Sequence, residues 1–385
     1  MALVELGSIL HFEKGKKPIS QSDSPADGFL PYVDIEAFET GKIKQYTDGT
    51  KCTPCDDGDI LIVCDGSRSG LVGRAVKGYV GSTLAKISAD CLSDQYLFHF
   101  VQGKYALLNT KKKGTGTPHL NQELLKQQKL IVPSYSEQER IVARIEELFS
   151  QLDAGVETLK KTKAQLAVYR QAVLKEAFDS IEDQCYQTLN TAILGSPQNG
   201  LYKPKSDYSD NGTPILRIDG FYDGFIVKDY YYKRVNLTVD EITRYSLEIG
   251  DLIVNRVNSM PYLGKCALVR FLGETTVFES NMMRIKLDNE KVNGDFLTYY
   301  LSSSTGRNEL TKSAKQAVNQ ASINQTDVGN AIVPMPPVEI QKRLLTYIES
   351  RLSVCDSIEQ TVDAALQQAE AMWQSILKEA FEGRL

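Results

Sequence analysis

Two stretches of the chain, residues 138–178 and 341–381, carry apolar side chains at steps of three and four residues. In the first they are Ile141, Ile145, Leu148, Leu152, Leu159, Leu166, Tyr169 and Val173, and in the second Leu344, Ile348, Leu352, Cys355, Val362, Ala365, Ala369, Met372, Ile376 and Ala380. This spacing is that of one face of an α-helix, and neither stretch contains proline. Each follows an Ile-Val-Pro, which ends extended chain before a helix. The pattern therefore predicts two long helices, each about 60 Å at 1.5 Å per residue.

The two stretches are copies of one another. They align without a gap at a constant offset of 203, and 14 of the 41 positions are identical, ending in Leu-Lys-Glu-Ala-Phe in both. Internal repetition on this scale indicates a duplicated architecture. A helix of this length with an apolar stripe close to a 3.5-residue period needs a partner along its length, and the other copy is the natural one.

The segments that precede the helices also correspond, although more loosely. Gly-Asp-Ile-Leu-Ile-Val at 58–63 matches Gly-Asp-Leu-Ile-Val-Asn at 250–255, and residues 31–35 and 119–122 resemble 214–218 and 322–325. Short β-branched and aromatic runs interrupted by Gly, Asp and Pro predict compact, β-rich globular parts. We expect a mixed α/β (α+β) fold with globular parts at 1–133 and 184–334 and long helices within 134–183 and 335–385.

Composition supports a globular protein of more than one domain. The 385 residues are 42% hydrophobic and 24% charged, with seven scattered cysteines. No apolar run approaches the length of a membrane span, and the start of the chain has no secretory pattern, so we expect free thiols and a cytoplasmic protein without membrane contact.

The net charge of −5 falls on the helices, because 1–133 holds 16 Lys and Arg against 15 Asp and Glu, and 184–333 holds 16 of each. The globular parts can therefore still present basic faces.

The repeated motifs resemble those of the specificity subunits of type I restriction–modification systems. The resemblance covers essentially the whole chain, and the motifs that carry it are Ile-Val-Pro followed by Gln-Glu-Arg-Ile at 138–141 or Gln-Lys-Arg-Leu at 341–344, the two Leu-Lys-Glu-Ala-Phe ends, and the Asn-Gln pairs at 121–122 and 324–325. The first copy departs from the family pattern at 133–137, where Pro-Ser-Tyr-Ser-Glu replaces a sequence like the Met-Pro-Pro-Val-Glu of the second, so the start of the first helix is defined only to within a turn.

The resemblance implies a function and a set of partners. Each globular part would be a target recognition domain that reads one half of a split sequence in double-stranded DNA, and the helices would form an antiparallel coiled coil that fixes the gap. Two methylation subunits would dock on this chain and transfer a methyl group from S-adenosylmethionine to adenine, and ATP-dependent restriction subunits would join them. The chain itself would have no catalytic residue, cofactor or metal, because S-adenosylmethionine, ATP and Mg²⁺ would be held by the partner subunits.

The first candidate DNA-binding segment is the polar loop at 65–70, after the Ile-Leu-Ile-Val strand. Arginine can contact guanine or phosphate, and small residues allow the backbone to approach a groove. A hairpin loop with glycines also needs no function. The presence of Arg and Ser at the same place in both repeats favours DNA contact, and the candidates are Ser67, Arg68, Ser69, Arg256, Asn258 and Ser259.

The second candidate segment is the lysine-rich stretch at 111–119, whose counterpart is 312–320. Lysines and hydroxyls suit phosphate contact, and Asn and Gln can read adenine. A solvated run of charges explains three consecutive lysines equally well. The candidates are Lys111, Lys112, Lys113, Thr115, Thr117, His119, Lys312, Lys315, Gln316, Asn319 and Gln320.

Other functions have weaker support. A coiled-coil adaptor that binds protein ligands through its two globular parts is the main alternative, and the acidic net charge mildly favours it. A zinc site at Cys52 and Cys55 lacks a second ligand pair. The tyrosines at 230–232, followed by Lys233 and Arg234, are a weaker DNA-binding candidate, because tyrosines at this density more often form sheet surface and core than a nucleic-acid platform. A methyltransferase is disfavoured because no glycine-rich cofactor motif precedes Asn258-Ser-Met-Pro-Tyr262.

Overall fold

The computed structural model describes residues 2–114 and 118–385, and its residues form two compact units. Unit 1 comprises Met1–Lys160 together with Asp363–Leu385, and unit 2 comprises Lys161–Val362. Each of the two long helices therefore contributes one part to each unit. Both units mix helices with small sheets, which confirms the predicted α+β class.

In unit 1 the strands are short and the helices flank them. The strands are β1 Ala2–Glu5, β2 Leu10–Lys14, β3 Leu30–Val33, β4 Tyr46–Thr47, β5 Pro54–Cys55, β6 Ile60–Val63, β7 Val72–Arg74, β8 Gly78–Val80, β9 Leu84–Ala89 and β10 Lys129–Val132. The helices are α1 Ile35–Thr40, α2 Asp94–Gln102, α3 Tyr105–Thr110, α4 Gln122–Lys126, the start of α5 Tyr135–Asp179 and the end of α10 Val338–Phe381.

Unit 2 repeats this arrangement with longer connections. Its strands are β11 Tyr186–Thr188, β12 Gln198–Asn199, β13 Tyr208–Leu216, β14 Phe221–Tyr222, β15 Phe225–Ile226, β16 Lys233–Val235, β17 Leu252–Asn255, β18 Val257–Asn258, β19 Cys266–Leu268, β20 Val277–Phe278, β21 Met282–Ile285, β22 Lys315–Gln316, β23 Ala321–Ser322 and β24 Ile332–Pro334. Its helices are the end of α5, α6 Val239–Tyr245, α7 Gly294–Ser302, α8 Ser304–Thr311, α9 Gln325–Gly329 and the start of α10 Val338–Phe381.

The sheets of the two units have matching orders. In unit 1 the order β2-β9-β6-β7 is antiparallel throughout, and in unit 2 the order β12-β21-β17-β19 is its counterpart. A second sheet contains one parallel pair in each unit, β3 with β8 and β13 with β20. The strand that precedes each long helix closes the unit by pairing with its first strand, β1 with β10 and β11 with β24.

The central strand of each larger sheet is buried on both faces. In β6, Ile60 and Ile62 belong to the core beneath α2, whereas Leu61 and Val63 point to the other face and form a smaller core. This follows from the two-residue alternation of side chains along a strand. Burial on both faces explains why Ile-Leu-Ile-Val at 60–63 and Leu-Ile-Val at 252–254 are continuous apolar runs rather than alternating ones.

The Gly-Asp that begins this motif forms the turn before the central strand. Gly58 and Gly250 have φ angles of +89° and +94°, a region that glycine enters without steric cost. The carboxylates of Asp59 and Asp251 then accept backbone N–H groups three residues earlier, at 2.9 and 2.8 Å. The repeated dipeptide therefore defines where each central strand begins.

The glutamine repeated at the start of each long helix is a buried connection to the globular part. Gln138 is fully buried, and its Nε2 donates to the carbonyl oxygens of Cys91 (2.8 Å) and Pro133 (3.1 Å). Its Oε1 accepts the backbone N–H of Ser93 at 2.7 Å. Ser93 is also the N-cap of α2, so one amide side chain joins the start of α5 to the start of α2.

Gln341 makes the same three contacts in unit 2. Its Nε2 donates to the carbonyl oxygens of Lys291 (2.9 Å) and Pro336 (2.8 Å), and its Oε1 accepts the N–H of Asn293 at 2.8 Å. Asn293 is the N-cap of α7. The glutamine shared by both copies of the repeat thus has one structural role performed twice.

The phenylalanine that ends each repeat packs on the globular part that precedes the other repeat in the chain. Phe178, at the end of α5, forms edge contacts in unit 2 with Phe296 and Tyr300, with ring centroids 5.4 and 5.1 Å apart. Phe381, at the end of α10, forms edge contacts in unit 1 with Tyr96 and Phe100 at 5.0 and 5.3 Å. Each unit therefore needs the start of one helix and the end of the other.

The parts of α5 and α10 within unit 2 run in opposite directions. Lys163 lies 3.6 Å from Glu359. Arg170, further along α5, lies 2.9 Å from Glu359 and also reaches Asp356, which is earlier in α10, at 2.6 Å. In unit 1, Ile145 of α5 shares a core with Leu377 of α10. The predicted antiparallel pairing is therefore present in the helical segments of unit 2.

The helical stripe differs from the sequence prediction at one position of the repeat. Tyr169 and Met372, which are equivalent at the offset of 203, are 45% and 46% exposed rather than packed. The 3.6-residue turn of a helix drifts relative to a seven-residue repeat, so a periodic apolar position can rotate out of the contact.

All seven cysteines are free thiols, as predicted. Burial raises the pKa of Cys55 to about 11 and that of Cys64 to about 12.

In the described ranges, no set of three or more His, Cys, Asp or Glu side chains is placed to hold a metal ion. None of the described helices combines the length and the apolar character needed to cross a bilayer.

We expect Gln138→Ala to destabilise unit 1 by about 1–3 kcal/mol, because the N–H of Ser93 and two carbonyl groups lose their partner at a buried site. The unfolding midpoint in urea, combined with hydrogen exchange of the α2 amides, measures the loss. Gln151→Ala, at an exposed glutamine of the same helix, is the control and should change stability by less than about 0.5 kcal/mol. Equal losses in the two variants would contradict the proposed role of Gln138.

Candidate nucleic-acid interface

In unit 1 the loop between β6 and β7 holds three of the predicted DNA contacts, but they differ in accessibility. Ser67 and Arg68 are exposed, and the Arg68 guanidinium forms an ion pair with Glu39 of α1. Ser69 is fully buried, and its hydroxyl donates to the carbonyl oxygen of Gly66 at 2.7 Å. Ser69 therefore shapes the loop, and its buried hydroxyl is not exposed for contact with DNA.

The lysine-rich segment lies against this loop. The carbonyl oxygen of Ser67 accepts hydrogen bonds from Asn109 Nδ2 at 2.8 Å and from Lys112 Nζ at 2.9 Å. Lys113 pairs with Glu123 at 2.7 Å, whereas Lys111 is exposed and forms no ion pair within the described residues. The two candidate segments of unit 1 thus form one surface.

A carboxylate fixes the far end of the lysine-rich segment. Asp65 Oδ1 lies 2.7 Å from His119 Nδ1, and Asp65 Oδ2 accepts from Lys14 Nζ at 2.9 Å. Burial alone would raise the pKa of Asp65, but the hydrogen bonds from His119 and Lys14 outweigh it and hold the pKa below its ordinary value. The backbones of Lys113 and His119 also pair. The predicted contacts Thr115 and Thr117, between them, lie outside the described residues.

In unit 2 the two candidate segments form a small three-stranded sheet. β18 pairs with β23, and β23 pairs with β22, so Asn258 lies opposite Ala321, which in turn lies opposite Gln316. The segment after the central strand and the segment before α9 are therefore adjacent, as their counterparts are in unit 1. In both units α4 or α9 then starts at an asparagine N-cap, Asn121 or Asn324.

The predicted residues of the first segment in unit 2 have mainly local partners. Arg256 is half-buried and donates from Nη1 to the carbonyl oxygen of Ser280 at 3.1 Å, so only part of its side chain faces solvent. Asn258 Oδ1 accepts the N–H of Ser259 at 2.8 Å, and Ser259 begins a short 3₁₀ turn at Met260–Tyr262.

The second segment of unit 2 is more accessible. Lys312, directly after the end of α8, pairs with Glu309 at 2.7 Å. The remaining predicted residues are all exposed on the hairpin formed by β22 and β23, namely Lys315, Gln316, Asn319 and Gln320.

Sequence reasoning missed several residues of these surfaces. Lys14 reaches Asp65 from β2, which only the sheet register places nearby, and Asn109 comes from α3. Asp65 is the first residue of the candidate loop at 65–70, so its place in the sequence is a signal for its role. In the tyrosine cluster, Tyr230 donates to Asp219 at 2.7 Å, whereas Tyr231 is 84% exposed.

Comparison with known proteins identifies the family. The model of the type I restriction modification DNA specificity domain matches residues 1–167 and 193–368. The MjaVIII specificity subunit of Methanocaldococcus jannaschii is 25% identical over 368 residues, which cover 90% of this chain and 85% of the relative. The StySPI specificity subunit of Salmonella potsdam is 27% identical over 314 residues, 76% of this chain and 66% of the relative.

The fold agrees with that family. A solved chain described under complex assembly and conformational transition of the type I R-M system superposes with a TM-score of 0.74 at 18% identity, covering 100% of this chain and 98% of the other. This chain belongs to the family of type I restriction modification DNA specificity proteins. It is a specificity subunit, the DNA-recognition component rather than a catalytic one, and the adaptor alternative is not favoured.

We expect Lys111→Ala to weaken binding of target and non-target duplex DNA to a similar extent and to reduce the salt dependence of binding. The loss of one phosphate contact lowers the slope of log K against log salt by about 1. Titrations at several salt concentrations measure this slope. Lys77→Ala is the matched control, because Lys77 is exposed at the opposite end of the β6–β7 hairpin. If the slope of log K against log salt is the same for Lys111→Ala and the wild type, Lys111 does not contact the DNA backbone.

Proposed function

We propose that this subunit reads a bipartite sequence in double-stranded DNA, with one half read by each unit. The observation that carries the proposal is the same composite surface in both units, made from the segment after the central strand and the segment before α4 or α9. Phosphate contacts position such a surface, and contacts to base edges give it specificity.

The two surfaces carry different chemistry on this common framework. Unit 1 presents Arg68, Lys111 and Lys112, which suit guanine and phosphate, whereas unit 2 presents exposed amides at Gln316 and Asn319. We therefore expect two different half-sites rather than a palindrome.

The long helices form the spacer and the docking site for partners. Two methylation subunits bind this chain and transfer a methyl group from S-adenosylmethionine to adenine, and restriction subunits that use ATP and Mg²⁺ join the complex. The exposure of Tyr169 and Met372 at equivalent positions of the repeat supports this, because it leaves one uncovered apolar side chain per copy. The net charge of −3 on each helical segment is a further support, since phosphate neutralisation must then come partly from partners.

The decisive measurement is a map of N6-methyladenine in a methylation-free host that expresses this chain with its methylation subunit. We expect a split motif with a constant gap, which disappears when the methylation subunit is expressed alone. If both proteins are soluble and associated but no methylation depends on this chain, the proposed function is wrong.

A second experiment tests the spacer. One heptad inserted near Lys160 and one near Asp363, where the chain passes between units, adds about 10 Å of helix. We expect the unread gap to lengthen by about three base pairs, at 3.4 Å per base pair, while both half-sites keep their sequence. Altered half-sites in the methylation map would contradict the spacer role, and a single heptad in α5 alone serves as the unmatched control.

A further inference from the structure

The tip of the β22–β23 hairpin in unit 2 presents an aliphatic side chain to solvent. The loop at 317–320 is closed by a hydrogen bond from the Ala317 N–H to the Gln320 carbonyl oxygen at 2.7 Å. Val318 is 98% exposed, more than any other large apolar side chain of the described residues. It makes no contribution to a core, so folding alone does not explain a β-branched residue at this position.

Val318 is not an isolated exposed residue. It shares a shallow concavity of about 320 Å³ with the adjoining turn, lined by Ser259, Met260 and residues 316–320. Met260 is 42% exposed there. The lining contains apolar, amide and hydroxyl side chains but no charged one, so it suits a surface that is partly apolar and offers hydrogen-bonding groups.

The base edges of an A·T pair match this combination. In the major groove, adenine offers N7 and the N6 amino group to an Asn or Gln amide, and thymine offers its 5-methyl group to an aliphatic side chain. We propose that the unit 2 hairpin reads A·T pairs of its half-site, with Gln316, Asn319 or Gln320 on adenine and Val318 against a thymine methyl group. This inference rests on the proposed function and makes Val318 a specificity-determining residue.

Unit 1 differs in the side chains that its surface offers. Arg68, Lys111 and Lys112 are charged donors, which suit guanine O6 and N7 or phosphate rather than a methyl group. The half-site read by unit 2 is therefore the one in which thymine methyl groups contribute to affinity through an aliphatic contact.

The test uses the full chain with its methylation subunit and a duplex that carries the mapped target. Each thymidine of the target is replaced in turn by deoxyuridine, which lacks only the 5-methyl group. For the wild type we expect one replacement in one half-site to weaken binding about three- to fivefold, the loss from exposing one methyl group. Val318→Ala should bind the unmodified duplex more weakly and be insensitive to that same replacement.

Val239→Ala is the matched control, because Val239 is 79% exposed in the same unit but lies on α6. It should keep the full sensitivity to deoxyuridine. The melting temperature should be the same for both variants and the wild type, since neither side chain is buried.

Three results would overturn the inference. The first is that no deoxyuridine replacement weakens binding of the wild type without also weakening binding of Val318→Ala. If the complex still prefers its target over a scrambled duplex, this result leaves the proposed function intact. The second is a half-site for unit 2 without an A·T pair at any read position. The third is a Val318→Ala variant that loses the methylation subunit while its deoxyuridine profile is unchanged. A complex with no target preference would instead refute the proposed function.

Discussion

The arrangement of each unit depends on one buried amide. Gln138 and Gln341 each satisfy two carbonyl groups and one N–H group at the junction between a long helix and its globular part. A buried polar group without a partner costs far more than a hydrogen bond gains, so three groups that depend on one side chain fix its position closely. The helix cannot rotate or slide on its globular part without breaking all three bonds, and this fixes the direction in which the helix leaves.

Several elements besides the buried glutamine recur in both units, and they explain how two different recognition surfaces share one framework. The Gly-Asp turn, the doubly buried central strand and the asparagine caps of α4 and α9 recur with similar geometry in both units. The exposed residues of the candidate segments, such as Arg68 and Gln316, belong to none of the cores, so their chemistry can differ between the units while the framework stays the same. The framework therefore sets the position of each recognition surface. The loops and the hairpin on that framework provide the side chains that contact DNA.

Much of this framework could be predicted from the sequence. The helices, the repeat and the continuous apolar strands follow from the sequence pattern, whereas the adjacency of the two candidate segments is seen only in the strand pairing of unit 2 and the hydrogen bonds of unit 1. The repeat identified the two glutamines but not their role, because a buried amide and an exposed one look alike in sequence. Ser69 shows the same limit, since its burial depends on the way the loop folds back towards Gly66.

The pairing of each globular part with the end of the other helix has a consequence for synthesis. Unit 2 is one continuous segment, Lys161–Val362, whereas the core of unit 1 includes Leu377 and Ala380 and is flanked by Phe381. During synthesis, unit 2 can fold before unit 1 is complete. The apolar surface of Tyr96 and Phe100 stays uncovered until Phe381 has been made. Unit 1 is thus the first to be synthesised but the last to complete its core, which requires the final turn of α10.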